Sequence, residues 1–221
     1  MSKKEFPQNS LEICISLSKK PKYFVFHDKK YPFDYELIKS NSSFFFRYQN
    51  QYDNIDFINL FQDNEIEQFN DMKETAITSF ISLCQNKECK INKSDIFYIQ
   101  YLAKKYEVSE LLNIITSIIS ANHKELVFDM FSFQYKNLYQ ENETFDTFEE
   151  KDAEIIALKL FEYIKDDRIF NFPIPALYQI LSQFFKRNNN LSDEEEKSFF
   201  DFLFKCLDKY KSEASILFTF I

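Results

Sequence analysis

Two histidines, His27 and His123, and four cysteines, Cys14, Cys84, Cys89 and Cys206, are the side chains of this 221-residue chain best suited to proton transfer, nucleophilic attack or soft-metal binding. His27 stands beside Asp28, a pairing that can serve as acid and base. The run His27-Asp28-Lys29-Lys30 reads as an exposed polar turn, however, and water there removes the desolvation that tunes catalytic groups. Cys84-x4-Cys89 lacks the spacing of a zinc half-site, with neither histidine near it in sequence. All four cysteines therefore read as small apolar residues or free thiols of a reducing compartment. The run Asp193-Glu194-Glu195-Glu196 falls where the first turn of a helix favours acids. Asp53, Asp56 and Asp63 lack the spacing and the central glycine of an EF-hand. No catalytic, cofactor-binding or metal-ligating residue is assigned, and no cofactor is expected.

Glycine is absent altogether. A phosphate-cradling P-loop, a GxGxxG dinucleotide turn and a GxSxG nucleophile elbow all need backbone that glycine supplies cheaply, so those enzyme classes are excluded. Hydrophobic residues make up 45% of the chain, with 28 Phe and 13 Tyr, which is ample for a packed core. The net charge of −8 disfavours contact with a phosphate backbone, so no nucleic-acid partner is expected. No apolar run reaches the 18 or so residues of a membrane span, and the first ten residues lack the apolar stretch of a signal peptide. The expectation is a non-enzymatic binding protein of the cytoplasm or nucleus, without a membrane partner.

The elements that would position any contact residues follow from periodicity. Lys22–Phe26 is rich in β-formers, and Tyr31-Pro32-Phe33 reads as a second strand that Pro32 confines to an edge or a strand start. Tyr35–Lys39 reads as a helix with Leu37 and Ile38 inward. Ser42-Ser43 opens another that carries Phe44, Phe45 and Phe46. Ile55, Phe57 and Ile58 suggest a third strand, ended by polar Gln62-Asp63-Asn64. From Lys73 the period turns helical, with Ala76, Ile77, Phe80, Ile81 and Cys84 on one face. Ser94 and Ser109 are expected to cap the next two helices, and 125–135 reads as another. The acidic stretch 137–149 reads as a loop. A stripe of Ala153, Ile156, Leu160, Phe161 and Ile164 follows, then a helix opened by Pro173 and Pro175 and broken at Asn188–Asn190. Ser192 with Glu195 forms a capping box ahead of Phe199–Tyr210. The expected class is α+β, divided into a polar tail (1–20), a mixed domain (21–120) and a helical region (121–221).

In this order the segments resemble a BTB/POZ domain. The resemblance rests on Phe24-Val25-Phe26-His27-Asp28-Lys29-Lys30-Tyr31-Pro32-Phe33, the following Leu37–Phe45 with its Ser42-x-x-Phe45 step, the helix 75–85, and Leu102-Ala103-Lys104-Lys105-Tyr106 through Leu111. It covers about residues 20–120. Residues 121–221 resemble, more loosely, the helical BACK region that often follows. The resemblance implies a protein–protein interaction module, an adaptor or scaffold, with the alternative of a substrate adaptor for a cullin-type ubiquitin ligase. It places the partner surface on Phe44, Tyr48 and Tyr52. The histidine usual at the start of the family's first helix falls here on Asp34. The arginine of a charged dimer pocket in the zinc-finger branch falls on Tyr35 and its acidic partner near Pro21, and the stretch equivalent to the cullin-binding motif, Tyr48–Asn54, has no Glu. The expectation is a monomer, or a dimer formed through another surface.

The last helix raises a separate question. Phe199, Leu203, Cys206 and Tyr210 define one apolar face, whereas Phe200 and Phe204 lie about 100° away. Those two are expected either to pack on the apolar tail Ile216–Ile221 or to form a second partner surface.

Overall fold

The N-terminal hairpin has to turn without glycine. In the computed structural model, which describes residues 22–138, 148–188 and 190–221, strand β1 (Lys22–Phe26) and strand β2 (Lys29–Phe33) pair antiparallel, with Phe24 opposite Tyr31. The two-residue connection places His27 at φ 47° and Asp28 at φ 61°. Both positions of such a turn require the left-handed region, where Asp and His are among the more tolerant side chains. The helix ends meet the same need with Asn86, Glu107 and Lys211.

Strand β3 (Phe57–Asn59) joins β1 on its other side, in parallel, giving the order β2-β1-β3. Pro32 thus lies on an edge strand, where a missing N–H is harmless. One sheet face is core. Phe24 and Phe26 of β1, Tyr31 and Phe33 of β2, and Ile58 of β3 are buried. Between the hairpin and β3 come α1 (Tyr35–Asn41), α2 (Ser43–Arg47) and α3 (Gln49–Tyr52). In α1 the expectation for Leu37 is corrected: it is 40% exposed, and the buried pair is Tyr35 and Ile38, one helical turn apart. Asp34 sets the phase by capping the helix with its carboxylate, which accepts from the Glu36 and Leu37 N–H groups. The expected polar break after β3 is also corrected, since Asp63–Ile66 forms the short helix α4 with a Gln62–Glu65 capping box.

Helix α5 (Glu74–Cys84) packs on β2 and on α6 (Ile96–Lys105), which in turn packs on α7 (Ser109–Ala121). Phe24 is the hub of this half, with Phe33, Tyr106, Phe45 and Phe80 rings centred 4.3, 5.5, 6.0 and 6.5 Å away. Neither serine caps as expected. Ser94 lies inside a 3-10 turn (Lys93–Asp95), and Ser109 is the first residue of α7, with Val108 in the cap position. The chain enters both helices from tight preceding turns that already meet part of the terminal N–H demand.

The second half is α-helical: α8 (His123–Asn137), α9 (Glu150–Ala157), α10 (Leu160–Tyr163), α11 (Ile174–Phe185) and α12 (Asp193–Tyr210), closed by a 3-10 segment (Lys211–Phe220). Ser192 and Glu195 make their reciprocal capping box. Only Asn122 separates α7 from α8, and buried residues on both sides belong to one continuous cluster. Phe133 of α8 lies against Phe97 and Tyr98 of α6, at 5.9 and 4.9 Å. The 1–20 tail with Cys14, and most of the expected 137–149 loop, lie outside the described residues. Among the described residues no helix is long and apolar enough to cross a membrane.

Candidate interaction surfaces

The step from α1 to α2 is fixed from far along the chain. Ser42, fully buried, caps α2 by accepting the Phe45 N–H at 3.2 Å, while its own hydroxyl donates to the Tyr106 carbonyl at 2.5 Å. The Ser43 N–H donates to the Glu107 carbonyl at 3.3 Å, and Arg47 Nη2 lies 2.7 Å from Glu107 Oε2. The left-handed turn at Glu107 therefore presents two carbonyls to the start of α2 and a carboxylate to its last residue, Arg47. Tyr106 itself is buried, stacks on Phe45 at 5.3 Å and donates its hydroxyl to the Leu60 carbonyl at 2.8 Å. Burial pushes the Tyr106 phenol well above its ordinary pKa. The far end is held by Lys22, whose ammonium donates to the carbonyls of Tyr52, Asp53 and Ile55.

Of the three residues expected to form this surface, Phe44 and Tyr52 are half-buried and Tyr48 is 42% exposed. Phe44 lies 5.1 Å from Tyr48 and 5.8 Å from Tyr52, so the three rings form one cluster. The most exposed aromatic residue here was not singled out by the sequence: Phe46, at 65%. The signal was the run Phe44-Phe45-Phe46, because a helix turning 100° per residue cannot bury three consecutive side chains on one face. Phe45 takes the core position, Phe44 the flank and Phe46 the solvent. The result is a rigid helical step with aromatic groups outside and a polar surround of Arg47, Gln49 and Asn50.

The second expected surface is split. Phe200 is half-buried, and Phe204 touches Phe218 of the closing segment edge-on at 6.3 Å yet remains 56% exposed. The tail's own burial is achieved by Ala214 and Leu217, and by Phe220 stacked on Phe185 at 5.4 Å. Leu207, next along the helix, is exposed as well.

Several polar groups are engaged with one another. His123 Nε2 lies 2.8 Å from Oδ1 of buried Asp152, whose Oδ2 accepts the Glu149 N–H at 3.0 Å. This pair, which the sequence does not join, ties the start of α8 to the start of α9. A cleft of about 590 Å³ between α6, α8 and the 3-10 turn Asp167–Asn171 is lined by Asp71, Asp129, Lys136 and Arg168. Within it Lys136 pairs with Asp71, while Arg168 holds Asp129 and also Asp166 beside the cleft. Burial pushes the Cys84 and Cys206 thiols up to about 12, which suppresses the thiolate that metals and electrophiles require. Among the described residues no group of three His, Cys, Asp or Glu is placed to hold a metal ion.

Neither the family models nor the curated proteins searched match the chain.

Proposed function

We propose that this chain is a non-enzymatic protein–protein interaction module, an adaptor or scaffold of BTB/POZ-like type followed by a BACK-like helical region. The observation that carries the reading is the α2–α3 step, where Phe46 and Tyr48 are exposed on a backbone anchored through Ser42, Ser43 and Arg47 to the Tyr106–Glu107 turn. Exposed aromatic groups on a preorganised support lose little conformational entropy on binding and dominate the energetics of many interfaces. The order of hairpin, short helix, serine-led step, third strand and helices supports the BTB/POZ-like assignment.

The test is affinity capture with the chain and its Phe46→Ser/Tyr48→Ser variant, followed by mass spectrometry and reconstitution of the captured protein from purified components. Loss of the reconstituted complex in the variant, at unchanged thermal stability, is expected. A cullin as the captured partner would select the ubiquitin-ligase adaptor reading. A purified partner that binds wild type and variant equally would refute the surface.

A further inference from the structure

The outward side of α12 carries a pattern that a reversed copy of itself completes. Phe200, Phe204 and Leu207 follow at steps of four and three and form an apolar stripe along the helix, only partly covered by Phe218. Beside the stripe, the exposed residues Lys197, Asp201, Lys205 and Asp208 recur at steps of four, four and three with alternating sign. Neighbours at such spacing can pair within one helix, yet none of these four makes an ion pair with a described residue. From the N-terminal end the signs run plus, minus, plus, minus. From the C-terminal end they run in the opposite order.

Two copies of α12 laid antiparallel therefore set Lys197 against Asp208 of the second copy, and Asp201 against Lys205. A two-fold axis repeats both pairs. Phe200 then meets Phe204 of the second copy near the axis, and the parts of both rings that the tail leaves open are covered. In a parallel two-fold arrangement this row would face the other flank of the second helix, and the four charges could not pair with their own counterparts. We propose that α12 is the seam of an antiparallel homodimer of this chain. The surface is self-complementary, as a closed two-fold interface requires. One helix per copy makes a small seam beside the roughly 1,200 Å² of a standard stable interface, so a weak, concentration-dependent dimer is expected. The proposal uses none of the α2–α3 residues, so it and the proposed function can each fail alone.

Sedimentation velocity of the 221-residue chain, from about 5 to about 500 μM, reads the equilibrium. A concentration-dependent shift from monomer to dimer is expected. Phe204→Ser should weaken it roughly tenfold or more, and Tyr48→Ser should leave it unchanged. Lys197→Asp and Asp208→Lys should each weaken it roughly tenfold, because each sets like charges together twice per dimer. The combined Lys197→Asp/Asp208→Lys variant should restore it. These positions are three turns apart, about 16 Å along the axis, so the rescue cannot arise within one helix. All four charges involved in the predicted pairs are exposed, and melting curves matching the wild type would show that the charge variants fold even if Phe204→Ser does not. A monomer at every concentration, a dimer indifferent to Phe204→Ser in a folded variant, or charge reversals that weaken without rescue would overturn the proposal.

Discussion

Removing one hydroxyl at Ser42 should loosen the whole α2–α3 step. In Ser42→Ala the helix loses its cap, the bond from the Phe45 N–H, which is typically worth about 1 kcal/mol. The buried Tyr106 carbonyl also loses the donor 2.5 Å away, and a buried acceptor deprived of its partner costs about 1–2 kcal/mol more. The sum is about 2–3 kcal/mol, which for a chain of this size lowers the melting temperature by roughly 5–10 °C. Urea denaturation followed by circular dichroism measures the loss, and Ser43→Ala is the control. Ser43 is exposed and contributes only its backbone N–H to Glu107, so its replacement should change stability by less than about 0.5 kcal/mol. Partner binding through Phe46 and Tyr48 should weaken in Ser42→Ala even at temperatures where the protein remains folded, because the step is no longer held. If Ser42→Ala melts within about 0.5 kcal/mol of Ser43→Ala, the serine does not couple α2 to the Tyr106 turn and the reasoning is wrong.

Phe80, fully buried beside Phe24 and Tyr106, should cost about 3–5 kcal/mol when truncated to alanine, and a chemically denatured Phe80→Ala protein with an unchanged midpoint would remove it from the core. A pH effect is expected at Glu65. Burial pulls its carboxyl up, but the Lys105 ammonium at 2.6 Å, the Gln62 N–H and the Tyr101 hydroxyl outweigh that and hold it below the usual carboxylate range. A depressed carboxylate contributes stability that is complete above its unfolded pKa, near 4.3, and is lost as the pH falls through the lower folded value. Glu65→Gln should therefore be less stable than wild type by about 2 kcal/mol at pH 7 and flatten the acid limb of the stability profile. Parallel acid limbs for the two proteins would disprove the assignment.

Much of the scaffold was legible because its causes are local. β-formers on either side of the polar run His27–Lys30 specify a hairpin, although the turn itself is only His27-Asp28 and Lys29 and Lys30 belong to β2. Pro32 marks that strand as an edge, and the 3.6-residue period of Ala76 to Cys84 specifies α5. The Ser192–Glu195 capping box begins α12 where the sequence says it should, since both partners lie within four residues. Absence of glycine could also be read directly, along with the site types it excludes.

The candidate surface was decided elsewhere. The sequence named Phe44, Tyr48 and Tyr52, of which Phe44 and Tyr52 are half covered, and passed over Phe46, the most exposed aromatic residue of the segment. Which member of Phe44-Phe45-Phe46 turns inward depends on the phase of α2, and that phase is set by Ser42 bonding to Tyr106, 64 residues away. Leu37 was misplaced for the same reason: α1 packs against α5, where Asn41 Nδ2 donates to the Cys84 carbonyl 43 residues away at 2.8 Å, and the helix buries Tyr35 and Ile38 instead. Ser94 and Ser109 had the composition of caps, but the turns preceding them left no cap position for their side chains to occupy. The His123–Asp152 pair and the parallel seat of β3 beside β1 likewise join segments that share no short-range pattern. Periodicity and capping chemistry act over about one turn of chain and so determine that an element exists. Its rotation, and with it the side chains left for a partner, is determined by packing and hydrogen bonds from distant segments, which only the tertiary structure supplies.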